Sequence, residues 1–204
     1  MFLLSKHRLE GAYKLYIRTA TIADLDIVAQ VEAECFLPAE AATREAFVGR
    51  LQHYGDHFWL LFDDESEGKL IGFVDGFVTN EADLTDEMYE KAEMHDEKGA
   101  WQMIFGLNTL PEYRCRGFAG ILVEQVIKAA KEQGRKGVVL TCKDKLVHYY
   151  ANFGFVDEGI SGSTHGNVVW HQMRVRFWES NIRRISLWTS NLTDRNIHTA
   201  PAAA

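Results

Sequence analysis

The chain has 204 residues with 22 basic and 29 acidic side chains, a net charge of −7, 47% apolar residues and only 3 prolines. That length suits one folded domain with a core of its own, and the composition excludes a collagen-like or disordered chain. The acidic balance and the lack of any long Lys/Arg run argue against nucleic acid as a partner, because neutralising phosphates needs a basic face.

Phe2 to Leu4 is too short for the apolar centre of a signal peptide, and no stretch reaches the roughly 18 apolar residues of a membrane span, so a cytoplasmic location without membrane contact is expected. Cys35, Cys115 and Cys142 are odd in number and have no metal-ligand spacing. They read as free thiols, with no metal site.

Leu15 to Thr19 alternates like a short strand. Thr21 followed by Asp24 imitates a capping box ahead of the helical run Leu25, Val28, Ala29, Val31 and Cys35. Beyond Pro38, Thr43 can cap a second helix carrying Ala46, Phe47 and Leu51. Phe58 to Asp63 and Leu70 to Val78 read as strands of a hairpin. Residues 81–98 hold eight acids against Lys91 and Lys98. They read either as a solvated helix or as an acidic rim that attracts amines by its field.

Trp101 to Thr109 is an apolar run long enough for a central strand buried on both faces. From Phe118 the apolar positions follow helical spacing until Gly134. Gly137 to Cys142 is a further strand, Leu146 to Phe153 a brief helix ended by Gly154, and Asn167 to Phe177 a last strand. The order predicts a mixed α/β domain over residues 1–177. Residues 178–204 are a C-terminal extension without assignable chemistry, and the Asn191-Leu192-Thr193 triplet within it reads as chance.

The stretch Asn108 to Gly120 lies between a buried strand and a strong helix and carries Arg114, Arg116, Gly117 and Gly120. A strand, a turn and a helix start present unpaired backbone N–H groups and the positive end of a helix dipole, which suits a diphosphate. It matches neither the nucleotide P-loop nor the Rossmann spacing.

Here the sequence resembles the GCN5-related N-acetyltransferase (GNAT) superfamily. Arg114-x-x-Gly117-x-Ala119 fits its acetyl-CoA signature, and Tyr150-Ala-Asn-Phe-Gly154-Phe155 fits its Tyr-x-x-x-Gly-Phe element. Leu140 to Tyr150 and Leu84-Thr-Asp-Glu look like the arylalkylamine acetyltransferase branch. The resemblance implies a GNAT fold, a mixed central sheet whose strands 101–109 and 137–142 splay around acetyl-CoA. Main-chain groups of Leu107 and Thr109 would pair with pantetheine, and a donor near Leu107 would face the thioester oxygen, worth roughly 3 kcal/mol to the developing oxyanion. Arg114, Cys115, Arg116, Gly117, Ala119 and Gly120 would hold the diphosphate.

The implied reaction moves acetyl from acetyl-CoA to a primary amine by direct attack. An alkylamine must first lose a proton, and the leaving thiolate needs only a weak acid. Tyr150 stands at the family's phenol position and suits that acid. The vertebrate-type His-x-His pair is replaced by Met103 and Phe105, which cannot take a proton. Glu40, after Phe36, matches a glutamate of the insect-type relatives and becomes the candidate base, with Asp75, Gln102, Asn108, His148 and His165 as lesser ones. Phe36, Trp101 and Trp170 could wall an acceptor pocket. No Cys/His order supports a cysteine nucleophile at Cys115 or Cys142. The expected partner is a small-molecule amine, and a homodimer is left open. The alternatives are a catalytically silent acyl-CoA-binding module and a protein or peptide amine acetyltransferase.

Overall fold

A computed structural model describes residues 14–64, 68–164, 166 and 168–177. His165 and the extension 178–204 lie outside the described residues. Among the described residues nine strands and five α-helices follow in the order β1 (Tyr16–Thr19), α1 (Leu25–Cys35), α2 (Arg44–Tyr54), β2 (Phe58–Phe62), β3 (Leu70–Asp75), β4 (Val78–Thr79), α3 (Glu87–Glu90), β5 (Trp101–Ile104), β6 (Gly106–Thr109), α4 (Phe118–Glu132), β7 (Gly137–Cys142), α5 (Asp144–Ala151), β8 (Val156–Ile160) and β9 (His171–Arg176). None of the helices is long and apolar enough to cross a membrane, among the described residues.

The caps act where the sequence places them. The Thr21 amide and hydroxyl both donate to the Asp24 carboxylate, and Thr43 Oγ1 accepts from Ala46 N to open α2. Gly134, at φ +72°, lets the chain leave α4.

The strands form a four-stranded sheet in the order β1-β2-β3-β6 and a five-stranded sheet in the order β4-β5-β7-β9-β8. In the four-stranded sheet every neighbouring pair is antiparallel. In the five-stranded sheet β5 and β7 run parallel. Helices α1 and α2 cover one face of the first sheet through Val28, Val31, Phe47 and Leu51 against Phe58, Leu60 and Phe73. Helix α4 covers the other through Phe118, Leu122 and Val126 against Leu61, Ile71 and Val74. Both faces of β2 and β3 are therefore buried, which is why they read as apolar runs.

Two expected strands are each divided. The run 70–78 breaks at Gly76, where an added Cβ would stand 1.9 Å from the Met103 carbonyl oxygen, so only glycine admits the crossing. The run 101–109 breaks at Phe105. Met103 N donates to Phe77 O and Phe105 N to Asp75 O, so the ladder continues across the break while β6 turns away from β7. Pairing of β5 with β7 ends at Ile104↔Leu140, and Thr141 and Cys142 run on opposite an opening. A bulge in one antiparallel strand bends it in this way.

Other expectations need correction. Residues 81–98 do not form a solvated helix: only Glu87–Glu90 and a 3-10 turn at Ala92–Met94 are helical, because Leu84, Met88 and Ala92 are pulled into a core with Tyr54, Phe77 and Trp101. The helix expected at 146–153 is Asp144–Ala151, and the last strand begins at His171 instead of Asn167. β8 was not expected, since Val156-Asp-Glu-Gly-Ile160 is mostly exposed and carries Gly159 at φ +97°.

Candidate active site

The opening between β6 and β7 is the feature from which the site grows. Leu110 N donates to Ile71 O, and Leu107 and Thr109 lie opposite Val74 and Gly72. By the alternation of an antiparallel ladder, the N–H and C=O groups of Leu107 and Thr109 point away from β3, off the edge of the sheet. Among the described residues no strand pairs with that edge.

On the α4 side the opening widens into a cavity of about 450 Å³ between β6, α5 and the start of α4. Leu107, Thr109, Arg114, Cys115, Gly117, Ala119 and Tyr150 all line it. The loop above it is built from unusual backbone: Cys115 stands at φ +60° and Gly117 at φ +87°. At the start of α4 Ile121 N donates to Gly117 O, and the amides of the opening turn before it project from the helix end. Arg114 does not reach outward. Its Nε donates to Thr109 O at 3.1 Å and its Nη2 to Cys35 O at 3.2 Å, bracing the loop against β6 and α1.

Two expected loop contacts sit apart from this cavity. The Arg116 guanidinium lies 5.8 Å from the Tyr113 ring centre. At Gly120 an added Cβ would come within 3.1 Å of Phe153 Cζ, so this glycine serves the approach of α4 to α5.

Tyr150 is 7% exposed, between Tyr149 and Phe155. Burial, with the neighbouring Cys142 and Tyr149 adding to it, pushes its phenol well above the ordinary tyrosine range. The group is therefore a proton donor that stays loaded at neutral pH.

On the α1–α2 side lies a second cavity of about 660 Å³. Phe36 lines both cavities, and Phe105, Tyr89 and Trp170 give the second one aromatic walls. Trp101 is not among them; it belongs to the core around Phe77 and Met103. Five carboxylates, Glu32, Glu40, Glu45, Asp86 and Glu90, share the lining with Arg50. Glu40 sits at its edge with both oxygens 2.8 Å from Lys143 Nζ. Arg50 is buried, its Nη1 2.8 Å from Asp75 Oδ2, and its own basicity is raised by Asp75, Tyr54 and Glu32 despite burial. Tyr89, half-buried and bonded to Thr141 Oγ1, has its phenol pushed up to about 12, chiefly by desolvation.

The other candidates stand elsewhere. Gln102 is consumed by Phe77 O, Met103 O and His57. His148 is exposed on α5. His57, His95 and Glu97 do bring ligand atoms within 4.8 Å of one another, a clustering the spacing did not announce. Each is already engaged, however: His57 Nδ1 meets Gln102 Oε1, Val78 N donates to His95 Nδ1, and Arg135 Nη2 holds Glu97 Oε1. A neutral His95 that accepts at Nδ1 carries its proton on Nε2, the nitrogen a metal would need. The cluster ties the acidic segment to β2 and β5.

Glu32, Arg50 and Tyr89 escaped the sequence reading. A signal existed: Glu32 falls in the stripe Leu25, Val28, Glu32, Cys35, and Arg50 beside Phe47, Leu51 and Tyr54, positions where a helix facing the core carries apolar residues.

Residues 25–155 match the sequence model of the Acetyltransferase (GNAT) family. Among solved structures, the loading GNATL domain of CurA from Lyngbya majuscula superposes with a TM-score of 0.67 at 16% identity, covering 79% of this chain and 97% of that one. Arabidopsis thaliana NAA60 in complex with acetyl-CoA gives 0.60 at 17% identity, with 80% and 98% covered. The ribosomal-protein-S18-alanine N-acetyltransferase from Escherichia coli gives 0.59 at 15%, with 82% and 97% covered. At these identities the likeness is one of fold.

Proposed function

Because the chain belongs to the GNAT acetyltransferase family, we propose that it moves an acetyl group from acetyl-CoA to the nitrogen of a small primary amine by direct attack while both substrates are bound. The carrying observation is the pair of cavities beside β6 that share Phe36 as a wall. One ends under the N-terminal turn of α4, where backbone amides and the helix dipole suit a diphosphate. The other is lined by acids and aromatic rings, which suits a cation with an apolar body.

In this reading the amides of Cys115, Gly117 and Ala119 hold the diphosphate, and Arg116 adds charge from outside. The edge at Leu107 and Thr109 pairs with the pantetheine amides as a strand would, with Thr109 O already accepting one bond from Arg114 Nε. The Leu107 N–H faces the thioester oxygen, where negative charge builds during attack. Tyr150 protonates the departing thiolate. Arg114 acts by bracing the loop, and the absent His pair leaves the base to be sought in the acidic cavity.

Two measurements test this. Calorimetry with coenzyme A reads the donor site. Thiol release from acetyl-CoA against phenethylamine, putrescine, lysine and a short peptide with a free N-terminus reads the acceptor. Turnover on a small amine is the expected result; turnover on the peptide alone would move the reading to a peptide acetyltransferase. Binding with no turnover on any of them would favour a silent acyl-CoA-binding module. Gly117→Val should weaken coenzyme A at least tenfold, because a β-branched residue is forced to φ +87° and its Cβ points into open space above the loop.

A further inference from the structure

The floor of the acceptor cavity holds more carboxylate than cation. Glu32 lines it from α1, 5% exposed, and behind the lining Asp75 of β3, 1% exposed, pairs through Oδ2 with Arg50 of α2. Glu32 has no such ion pair among the described residues. Its Oε1 accepts from Ala42 N at 2.8 Å and its Oε2 from Asn108 Nδ2 at 2.7 Å.

Beside it, Asn108 Oδ1 and Asp75 Oδ1 are buried with no donor in hydrogen-bonding geometry. Both approach the same point of the bulged strand: a Cβ at Gly106 would stand 2.7 Å from Asp75 Oδ1 and 3.4 Å from Asn108 Oδ1. Buried acceptors left without donors are costly and are uncommon in folded proteins. Buried acceptors from β3 and β6 thus meet beside Gly106, a wall residue of the acceptor cavity, and an ammonium group brings three donors.

We propose that Glu32 seats the ammonium of the acceptor and takes its proton, with Asn108 Oδ1 and Asp75 Oδ1 holding the same nitrogen. This rests on the transferase reading above and replaces Glu40 as the base. Glu40 is already neutralised by an ammonium, that of Lys143, at 2.8 Å from both oxygens.

The steps balance as follows. One ammonium proton passes to the Glu32 carboxylate and frees the nitrogen lone pair. That pair forms the C–N bond at the acetyl carbonyl, and the C–S bond breaks. Tyr150 gives its proton to the sulfur and is reprotonated by the second nitrogen proton, and Glu32 returns its proton to solvent.

The groups facing Glu32 favour this role. Burial pushes its carboxyl above the usual carboxylate range, the Ala42 and Asn108 bonds oppose that, Asp75 adds to it and Arg50 opposes it. Cys35, one turn along α1, is the remaining titratable neighbour, and burial pushes its thiol up. A less acidic carboxyl is the better acceptor for an ammonium proton.

Glu32→Gln tests the assignment in the full chain. Glutamine keeps the shape: its Oε1 still accepts from Ala42, and its Nε2 donates to Asn108 Oδ1 once that amide turns over. With the fastest small amine of the panel, the variant should lose about 100-fold or more in kcat/KM for the amine and lose the acid limb of the pH profile. Coenzyme A affinity should not move, Glu32→Asp should recover part of the rate, and Glu40→Gln, which perturbs the cavity wall, should keep the acid limb of the pH profile. A Gln variant at Glu32 with the parent's rate and pH profile overturns the proposal, as does loss of the acid limb in Glu40→Gln instead. If circular dichroism finds the Gln variant unfolded, Glu32→Asp decides: at least a tenfold lower kcat supports the role, an unchanged kcat overturns it. A parent chain that binds coenzyme A and acetylates no amine removes the transferase reading and this assignment together. Turnover that survives the Gln substitution removes the assignment alone.

Discussion

Tyr150 and Glu32 are two groups whose buried surroundings push their proton affinities upward, one on each side of the opening between β6 and β7. Pairs of titratable groups placed around a reacting bond are the usual carriers of proton traffic. Tyr150→Phe keeps the ring that packs on Phe155 and removes only the hydroxyl. It should lower kcat by about 10- to 100-fold at pH 7 and leave coenzyme A affinity within about twofold; steady-state kinetics with calorimetry checks both. A parent-like kcat would leave the thiolate to be protonated by water. At this scale the motif residues were legible because the family signature names them, and six of the eight expected loop and strand contacts, with Tyr150, do meet around one cavity. Glu32, Arg50 and Asp75 were not singled out as a group, because their partners lie far along the chain: Glu32 meets Asn108, and Arg50 meets Asp75.

Among the elements, helices were read more faithfully than strands. α1 and α2 open on caps, Thr21 with Asp24 and Thr43, while α1 and α4 carry an apolar stripe, and those signals are local. The breaks at Gly76 and Phe105 were not legible, since an apolar run looks the same whether it runs straight or changes sheets. β8 is the reverse case, an edge strand held by charge instead of apolar burial. Glu158 on it receives Arg174 Nε at 2.9 Å and Arg176 Nη2 at 2.7 Å. Burial works against ionisation there, but the bonds from Arg174, Gln172 and Arg176 outweigh it and hold the carboxyl down at about 2. A depressed carboxyl stabilises the fold above its unfolded value, near about 4.3, and that contribution is lost as pH falls towards 2. Glu158→Gln should therefore cost about 1 kcal/mol at pH 7, with the gap to the parent closing between pH 4 and pH 2; urea melts across that range check it. A constant gap would mean that the loss comes from packing.

Over the whole molecule, charge is distributed unevenly in a way that bears on substrate choice. Several acids of segment 81–98 are matched locally, Asp83 with Arg174, Glu87 with Lys91, and Glu97 with His57 and Arg135. Asp86 and Glu90 instead join the acceptor cavity. If the field of that cavity draws in amines, KM for putrescine should rise several-fold between 20 mM and 500 mM salt, and more steeply than KM for phenethylamine, since a dication feels the screening twice. Equal slopes would assign recognition to contact alone. The two sheets reach this arrangement by sharing a ladder that bends once, and the bend leaves a single aromatic ring, Phe36, as the wall common to both chambers. On the proposed reading the acyl tail of the donor and the nitrogen of the acceptor would meet at that ring, which would then set how long a tail fits between the two compartments.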